Sequence, residues 1–183
     1  VVETIALPTV RQLAAEQTPF IGLLYAGLIL TGRGIRVIEF NARFGDPETQ
    51  VVLPRLATPL SQLLFAAATG RLGELPRPEF RADAAVTVVL ASEGYPEAPV
   101  TGRPIMGVTE AASVPGVHVA HAATALAAGS EGTELIATGG RVLNVVAVGD
   151  DLSDARRRAY DALARISLDG GQYRTDIAAR VAD

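Results

Sequence analysis

VIEFNARFGDPETQ (37–50) is the stretch that decides how this chain is read. In a strand, alternate residues share a face. Ile38 and Phe40 then point one way, toward a core. Glu39 and Asn41 point the other way, with Cα atoms roughly 6.5–7 Å apart. A carboxylate and a carboxamide so placed offer hard oxygens to one side. Mg²⁺ prefers such oxygens and usually takes one or two from the protein, the rest coming from phosphate and water. Arg43 follows two residues later, and its planar fork suits a phosphate or a carboxylate. A metal-ligand face beside an arginine serves phosphoryl transfer, which is mostly positioning and charge neutralisation. Glu-x-Asn alone is equally the polar edge of an ordinary strand. Asp46-Pro47 predicts a helix start, with Asp46 as cap and Pro47 in the first position; the alternative for Asp46 is a substrate contact. Glu48 has the same two readings, since a carboxylate in the first turn favours the helix dipole.

Upstream, GLLYAGLIL (22–30) and IRVIEF (35–40) flank TGRG (31–34). Two apolar runs around a Gly-rich tetrapeptide predict a β-hairpin. Residues 7–16 predict a short helix, with Pro8 in the first turn and a stripe of Leu7, Val10, Leu13 and Ala14. Downstream, Thr58-Pro59 starts a helix with Leu60, Leu63, Leu64 and Ala67 on one face and Gly70 closing it. GELPRPEFRAD (73–83), with its prolines and mixed charge, is the linker candidate. Beyond it lie short strand patterns: AAVTVVLAS (84–92), VHVAHA (117–122), ELIAT (134–138) and RVLNVVAVG (141–149). Gly139-Gly140, between the last two, is a tight-turn signal. Ser153 is the expected cap of a helix from Asp154 to about Ile166. Its apolar face is Ala155, Ala159, Ala162, Leu163 and Ile166, with Arg156, Arg157 and Arg158 on a solvated face. The expected fold class is α+β, in two pieces joined near residue 78.

Composition excludes several function classes. The 183 residues are 49% hydrophobic and 20% charged, a globular balance. The longest apolar runs are about ten residues, too short to span a bilayer. VVETIALPTV (1–10) has no basic n-region and does not read as a signal peptide. The net charge is -4, and no basic stripe exists beyond Arg156–Arg158, which points away from nucleic acid. There is no cysteine, so thiolate metal sites, disulfides and cysteine nucleophiles are excluded. All 16 basic residues are arginine. Chemistry that needs a lysine must take it from elsewhere. With Val1 first and Met106 the one methionine, the chain is expected to be part of a longer one.

YAGL (25–28) followed by VIEFNARFGDPETQ (37–50) resembles the phosphoribosylamine–glycine ligase family, also called glycinamide ribonucleotide synthetases. RFGDPE is close to a signature of that family. GRPIMGV (102–108), TGGRVLNVVAVGDDLSDARRRAYDALARI (138–166) and GGQYRTDIAAR (170–180) resemble its C-terminal domain. The resemblance implies the second half of an ATP-grasp core over residues 1–78, followed by a small β-rich C-terminal domain over 79–183. It implies a cytoplasmic enzyme of de novo purine synthesis. Such enzymes join glycine to 5-phosphoribosylamine at the expense of ATP, by way of glycyl phosphate, releasing ADP and phosphate. Glu39 and Asn41 would then hold Mg²⁺ or Mn²⁺, and Arg43 would act on the transferring phosphate. Asp46 and Glu48 would lie at the amino-substrate site. The N-terminal domain, the lid and the nucleotide-clasping lysines would lie upstream, leaving this chain inactive alone. No nucleic-acid or membrane partner is implied.

The family usually has His-Ala-Gly-Thr where this chain has HAAT (121–124), so Ala123 replaces a glycine. His121 and His118 read as structural, and Tyr25 as packing rather than stacking on adenine. Two alternatives are another ATP-grasp ligase or carboxylase and a non-catalytic module that keeps the fold. RFGDPE argues against the first, and the joint presence of Glu39, Asn41 and Arg43 against the second.

Overall fold

A computed structural model describes residues 1–127 and 134–182. The chain is α+β and divides into two compact units. One comprises Val1–Thr49 with Leu56–Glu79; the other comprises Gln50–Arg55 with Phe80 onward.

The first unit opens with a single π-helical turn and α1 (Leu7–Ala15), with Pro8 in the first turn as expected. β1 (Tyr25–Thr31) and β2 (Gly34–Asn41) then form the antiparallel hairpin. The helix expected from Asp46 does not start there. The Asp46–Pro47 peptide is cis, residues 46–48 form a turn, and α2 (Thr49–Val52) begins three residues later. Thr49 N–H donates to Gly45 C=O at 3.3 Å, closing that turn. Asp46 therefore lies in the turn ahead of α2, not at the position directly before its first residue. α3 (Leu60–Ala68) follows Pro59, and Gly70 takes a left-handed φ of +71° just past its end.

The expected core face of β2 is not buried. Ile38 is 67% exposed and Phe40 40%. A two-stranded ribbon has no second layer of its own, and such hairpins become stable only with further strands or a packed helix. The stripe on α3 is only partly covered, with Leu60, Leu63 and Ala67 half-buried and Leu64 exposed. Leu60, Leu63, Leu64 and Ala67 line an apolar groove of about 420 Å³ together with Ile21, Leu23 and Phe44.

The second unit holds the hydrophobic core. Its elements are β3 (Ala84–Ala91), β4 (Ile105–Met106), α4 (Val108–Ala112), β5 (Val117–His121) and β6 (Thr124–Leu126). After them come β7 (Leu135–Ala137), β8 (Arg141–Gly149), α5 (Leu152–Leu163) and β9 (Ser167–Leu168). β8 is the centre of an antiparallel sheet ordered β3-β8-β5. Its near-continuous burial follows, because both edges are paired and both faces covered. α5 lays Ala155, Ala159, Ala162 and Leu163 against this sheet, all within 2% exposure. Small side chains on one face let the helix backbone come close. Gly139-Gly140 does not close a hairpin between its flanking strands. β7 pairs with β6, and β8 with β3 and β5, so the two glycines carry the chain from one sheet to another.

Asp151, not Ser153, caps α5. Its backbone is extended and its Oδ1 accepts from Asp154 N–H at 2.7 Å. The arginines of this helix are less solvated than their spacing suggests. Arg156 donates to the carbonyls of Thr175 and Ile177 at 2.9 and 3.0 Å and lies over the Tyr160 ring. Arg158 reaches the Pro115 carbonyl at 3.2 Å and pairs with Asp154 at 2.7 Å. Only Arg157 stays on the open face, between Asp154 and Asp161. The hydrogen bond from Arg158, then that from Arg157, holds the Asp154 carboxyl below its ordinary value of 3.8. A depressed carboxylate contributes stability above the unfolded-state pKa and loses it as pH falls through the folded value. Asp154→Asn is therefore expected to flatten the loss of melting temperature below about pH 4. Melting curves of both proteins from pH 6 to pH 2.5 check it; parallel acid limbs would refute it.

Candidate active site at the end of the hairpin

The site is built on the last residues of β2. Asn41 Nδ2 donates to Glu39 Oε1 at 2.9 Å, and Arg43 Nη2 donates to Asn41 Oδ1 at 3.3 Å. The three predicted residues thus share one face in a continuous hydrogen-bonded row. Arg43 Nη1 also donates to the Phe44 carbonyl at 2.7 Å, which turns the guanidinium back along the chain. Glu39 and Arg43 are exposed and Asn41 is half-buried. Hard oxygens from a carboxylate and a carboxamide fit an Mg²⁺ or Mn²⁺ ion that takes most of its ligands from phosphate and water. Among the described residues no group of three or more His, Cys, Asp or Glu could enclose a metal. A site here would draw on Glu39 and Asn41.

Glu48 is brought to the same place, by a residue the spacing did not identify. Tyr25 O–H donates to Glu48 Oε1 at 2.9 Å. Tyr25 stands directly opposite Asn41 in the hairpin register. A β-bulge puts it there. Thr31↔Gly34 through Leu28↔Val37 follow one register, and the shift between Gly27 and Leu28 moves the next pairs to Gly27↔Glu39 and Tyr25↔Asn41. Without the bulge Tyr25 would face Phe40, and a one-residue slip reverses which face a side chain joins. The hydrogen bond to Glu48 raises the Tyr25 hydroxyl above its ordinary pKa of 10.0. The charges of Glu48 and Glu39 push the same way, and Arg43 opposes them. Tyr25 therefore feels both halves of the site.

Gly45 permits this arrangement. A Cβ there would lie 2.7 Å from Glu48 Oε2 and 3.0 Å from the Tyr25 ring, so the carboxylate would have to shift and the ring to give way by a few tenths of an ångström. Asp46 is exposed on the turn beside them. His121 belongs to the second unit, where its Nδ1 lies 3.0 Å from Thr124 Oγ1, a local contact between the ends of β5 and β6. The signals that could have pointed to Tyr25 and Gly45 are faint: an aromatic near one end of the hairpin, and a glycine before an Asp-Pro turn.

Comparison with known proteins places both halves of the chain. The pattern of the phosphoribosylglycinamide synthetase ATP-grasp (A) domain matches residues 1–49. That of the phosphoribosylglycinamide synthetase C domain matches residues 85–180, more than half of the chain. The chain belongs to the phosphoribosylglycinamide synthetase family. Within that family it is 74% identical to the phosphoribosylamine–glycine ligase of Leifsonia xyli subsp. xyli, over 98% of this chain and 43% of the relative. Identity to the Streptomyces coelicolor phosphoribosylamine–glycine ligase is 57%, over 100% of this chain and 43% of the relative. The crystal structure of the Thermotoga maritima phosphoribosylamine–glycine ligase superposes with a TM-score of 0.68 at 34% identity. The match covers 85% of this chain and 36% of that one. The chain thus spans less than half the length of these phosphoribosylglycinamide synthetase relatives. Among the described residues no helix is long and apolar enough to cross a membrane.

Proposed function

We propose that this chain supplies the phosphate-facing edge of a phosphoribosylamine–glycine ligase. The reaction is ATP + glycine + 5-phosphoribosylamine → glycinamide ribonucleotide + ADP + phosphate, a step of de novo purine synthesis in the cytoplasm. The observation that carries the proposal is the row Glu39–Asn41–Arg43, in hydrogen-bond contact at the end of β2. It lies within the stretch that matches the family's ATP-grasp domain.

Each residue has a role that its chemistry fits. Glu39 and Asn41 would hold Mg²⁺ or Mn²⁺, which supplies charge neutralisation at the nucleotide phosphates. Arg43 would stabilise the phosphate in transfer to the glycine carboxylate, since its fork matches two phosphate oxygens. Asp46 and Glu48 would face the amino substrate, where carboxylates suit an ammonium group. The acyl phosphate so formed would then be attacked by the amine of phosphoribosylamine, expelling phosphate. Residues 1–78 would form the latter part of the ATP-grasp core and 79–183 the C-terminal domain.

The rest of the machinery would come from further sequence of the same protein. Two features support this. The relatives are more than twice as long as this chain, and the Ile38–Phe40 face of β2 is exposed. The nucleotide-clasping lysines would also lie there, since this chain has none. The test is ADP release by the full-length protein. Release is expected to need ATP, glycine, phosphoribosylamine and a divalent cation together, and the 183-residue chain alone is expected to release none. Release that ignores glycine would overturn the proposal.

A further inference from the structure

We propose that Tyr25 is a positioning residue for the amino-substrate end of the site: its hydroxyl fixes the Glu48 carboxylate beside the Glu39–Asn41–Arg43 row. Glu48 is thereby presented to the substrate's ammonium group. This rests on the ligase reading above and adds to it the residue that orients the loop.

Three independent observations meet here. The Tyr25 hydroxyl donates to Glu48 Oε1 at 2.9 Å, across 23 residues of sequence. The bulge between Gly27 and Leu28 sets Tyr25 opposite Asn41, so the same ring belongs to the strand pair that carries the metal-ligand oxygens. Gly45 leaves room for ring and carboxylate to close over its backbone, with Glu48 Oε2 only 2.7 Å from where a Cβ would stand. Glu48 is the last residue of the turn and sits on no regular element of its own. A carboxylate on such a loop sweeps many rotamers unless something holds it, and fixing it in advance removes that cost from substrate binding. A hydrogen bond to a charged group is the stronger kind, so one hydroxyl is enough to hold it.

The experiment uses the full-length enzyme with Tyr25→Phe, Glu48→Gln and the double variant. Tyr25→Phe removes one hydroxyl and keeps the ring. It is expected to raise the KM for glycine about tenfold, the scale of one hydrogen bond to a charged group. The KM for ATP and kcat should stay within about twofold. The double variant should match Glu48→Gln alone, because the tyrosine acts only through that carboxylate. Gly45→Ala should reproduce the glycine KM effect by pushing ring and carboxylate apart. A second readout needs no turnover. Hydrogen exchange at the Thr49 amide, which closes the turn onto Gly45, should quicken in Tyr25→Phe while β2 keeps its protection.

An unchanged glycine KM overturns the proposal and leaves the ligase reading standing. So do single-variant effects that multiply in the double variant, or unchanged exchange at Thr49. A loss shared equally by kcat, both KM values and melting temperature would mark Tyr25 as merely structural and also overturn it. A wild-type enzyme with no glycine-dependent ADP release overturns the ligase reading first, and this proposal with it.

Discussion

Glu39→Gln in the full-length enzyme is expected to cut kcat/KM by about 10² to 10³ while leaving the melting temperature where it was. The magnitude is that of removing one group aimed at developing charge in a phosphoryl-transfer site. The substitution is nearly isosteric. Its carboxamide oxygen can still accept from Asn41 Nδ2, so the row at the end of β2 keeps its geometry. What disappears is the negative charge. A neutral oxygen binds a hard divalent cation more weakly, so the cation concentration giving half-maximal rate should rise as well. Stability should not follow, because Glu39 is exposed, and surface substitutions outside special features stay within about 0.5 kcal/mol. Steady-state rates across a cation titration, with melting curves alongside, decide the matter. Equal melting with near-normal turnover would refute the metal-ligand role of Glu39.

The features legible in the sequence were those fixed by a few neighbouring residues. The hairpin showed in two apolar runs around TGRG, and α3 in Thr58-Pro59 followed by a 3–4 spaced stripe. The pair Glu39–Asn41 showed because a strand's two-residue period places alternate residues on one face whatever the tertiary setting, and Arg43 follows two residues past the end of β2. Features that depend on what lies across the chain did not show. RVLNVVAVG reads as a buried strand, but a run covered on both faces does not say which neighbours it takes. β8 chose β3 and β5 over the adjacent β7. Asp150, Asp151 and Ser153 are all able to cap, and the extended backbone at Asp151 settled the competition. Asp46-Pro47 carried a helix-start signal, yet α2 begins only at Thr49, after a turn closed by the Thr49–Gly45 hydrogen bond. Tyr25 was hidden by a single bulge. A hairpin continued in its first register turns that ring away from Asn41.

The largest expected loss of stability lies in the second unit, at Leu143. This residue is fully buried in β8, the strand both edges of the sheet depend on. Leu143→Ala is expected to cost about 2–5 kcal/mol, combining the lost transfer energy of the removed carbons with the cavity they leave. The upper half of that range applies where surroundings cannot collapse. Here they are held by both the sheet and the helix. Val88, Val145 and Ala147 are locked in the sheet, and α5 already sits on alanines, so it cannot move much closer. Leu126 provides the contrast within the same unit. It is 62% exposed on β6, so Leu126→Ala removes the same atoms with little burial to lose. That variant should stay within about 0.5 kcal/mol of the parent. Urea melts of the three proteins, followed at a common far-ultraviolet signal, measure the difference as shifts in midpoint. Similar shifts for Leu143→Ala and Leu126→Ala would mean that the β3-β8-β5 sheet is not the core on which the second unit depends. A wide gap would tie the unit's stability to the strand at its centre.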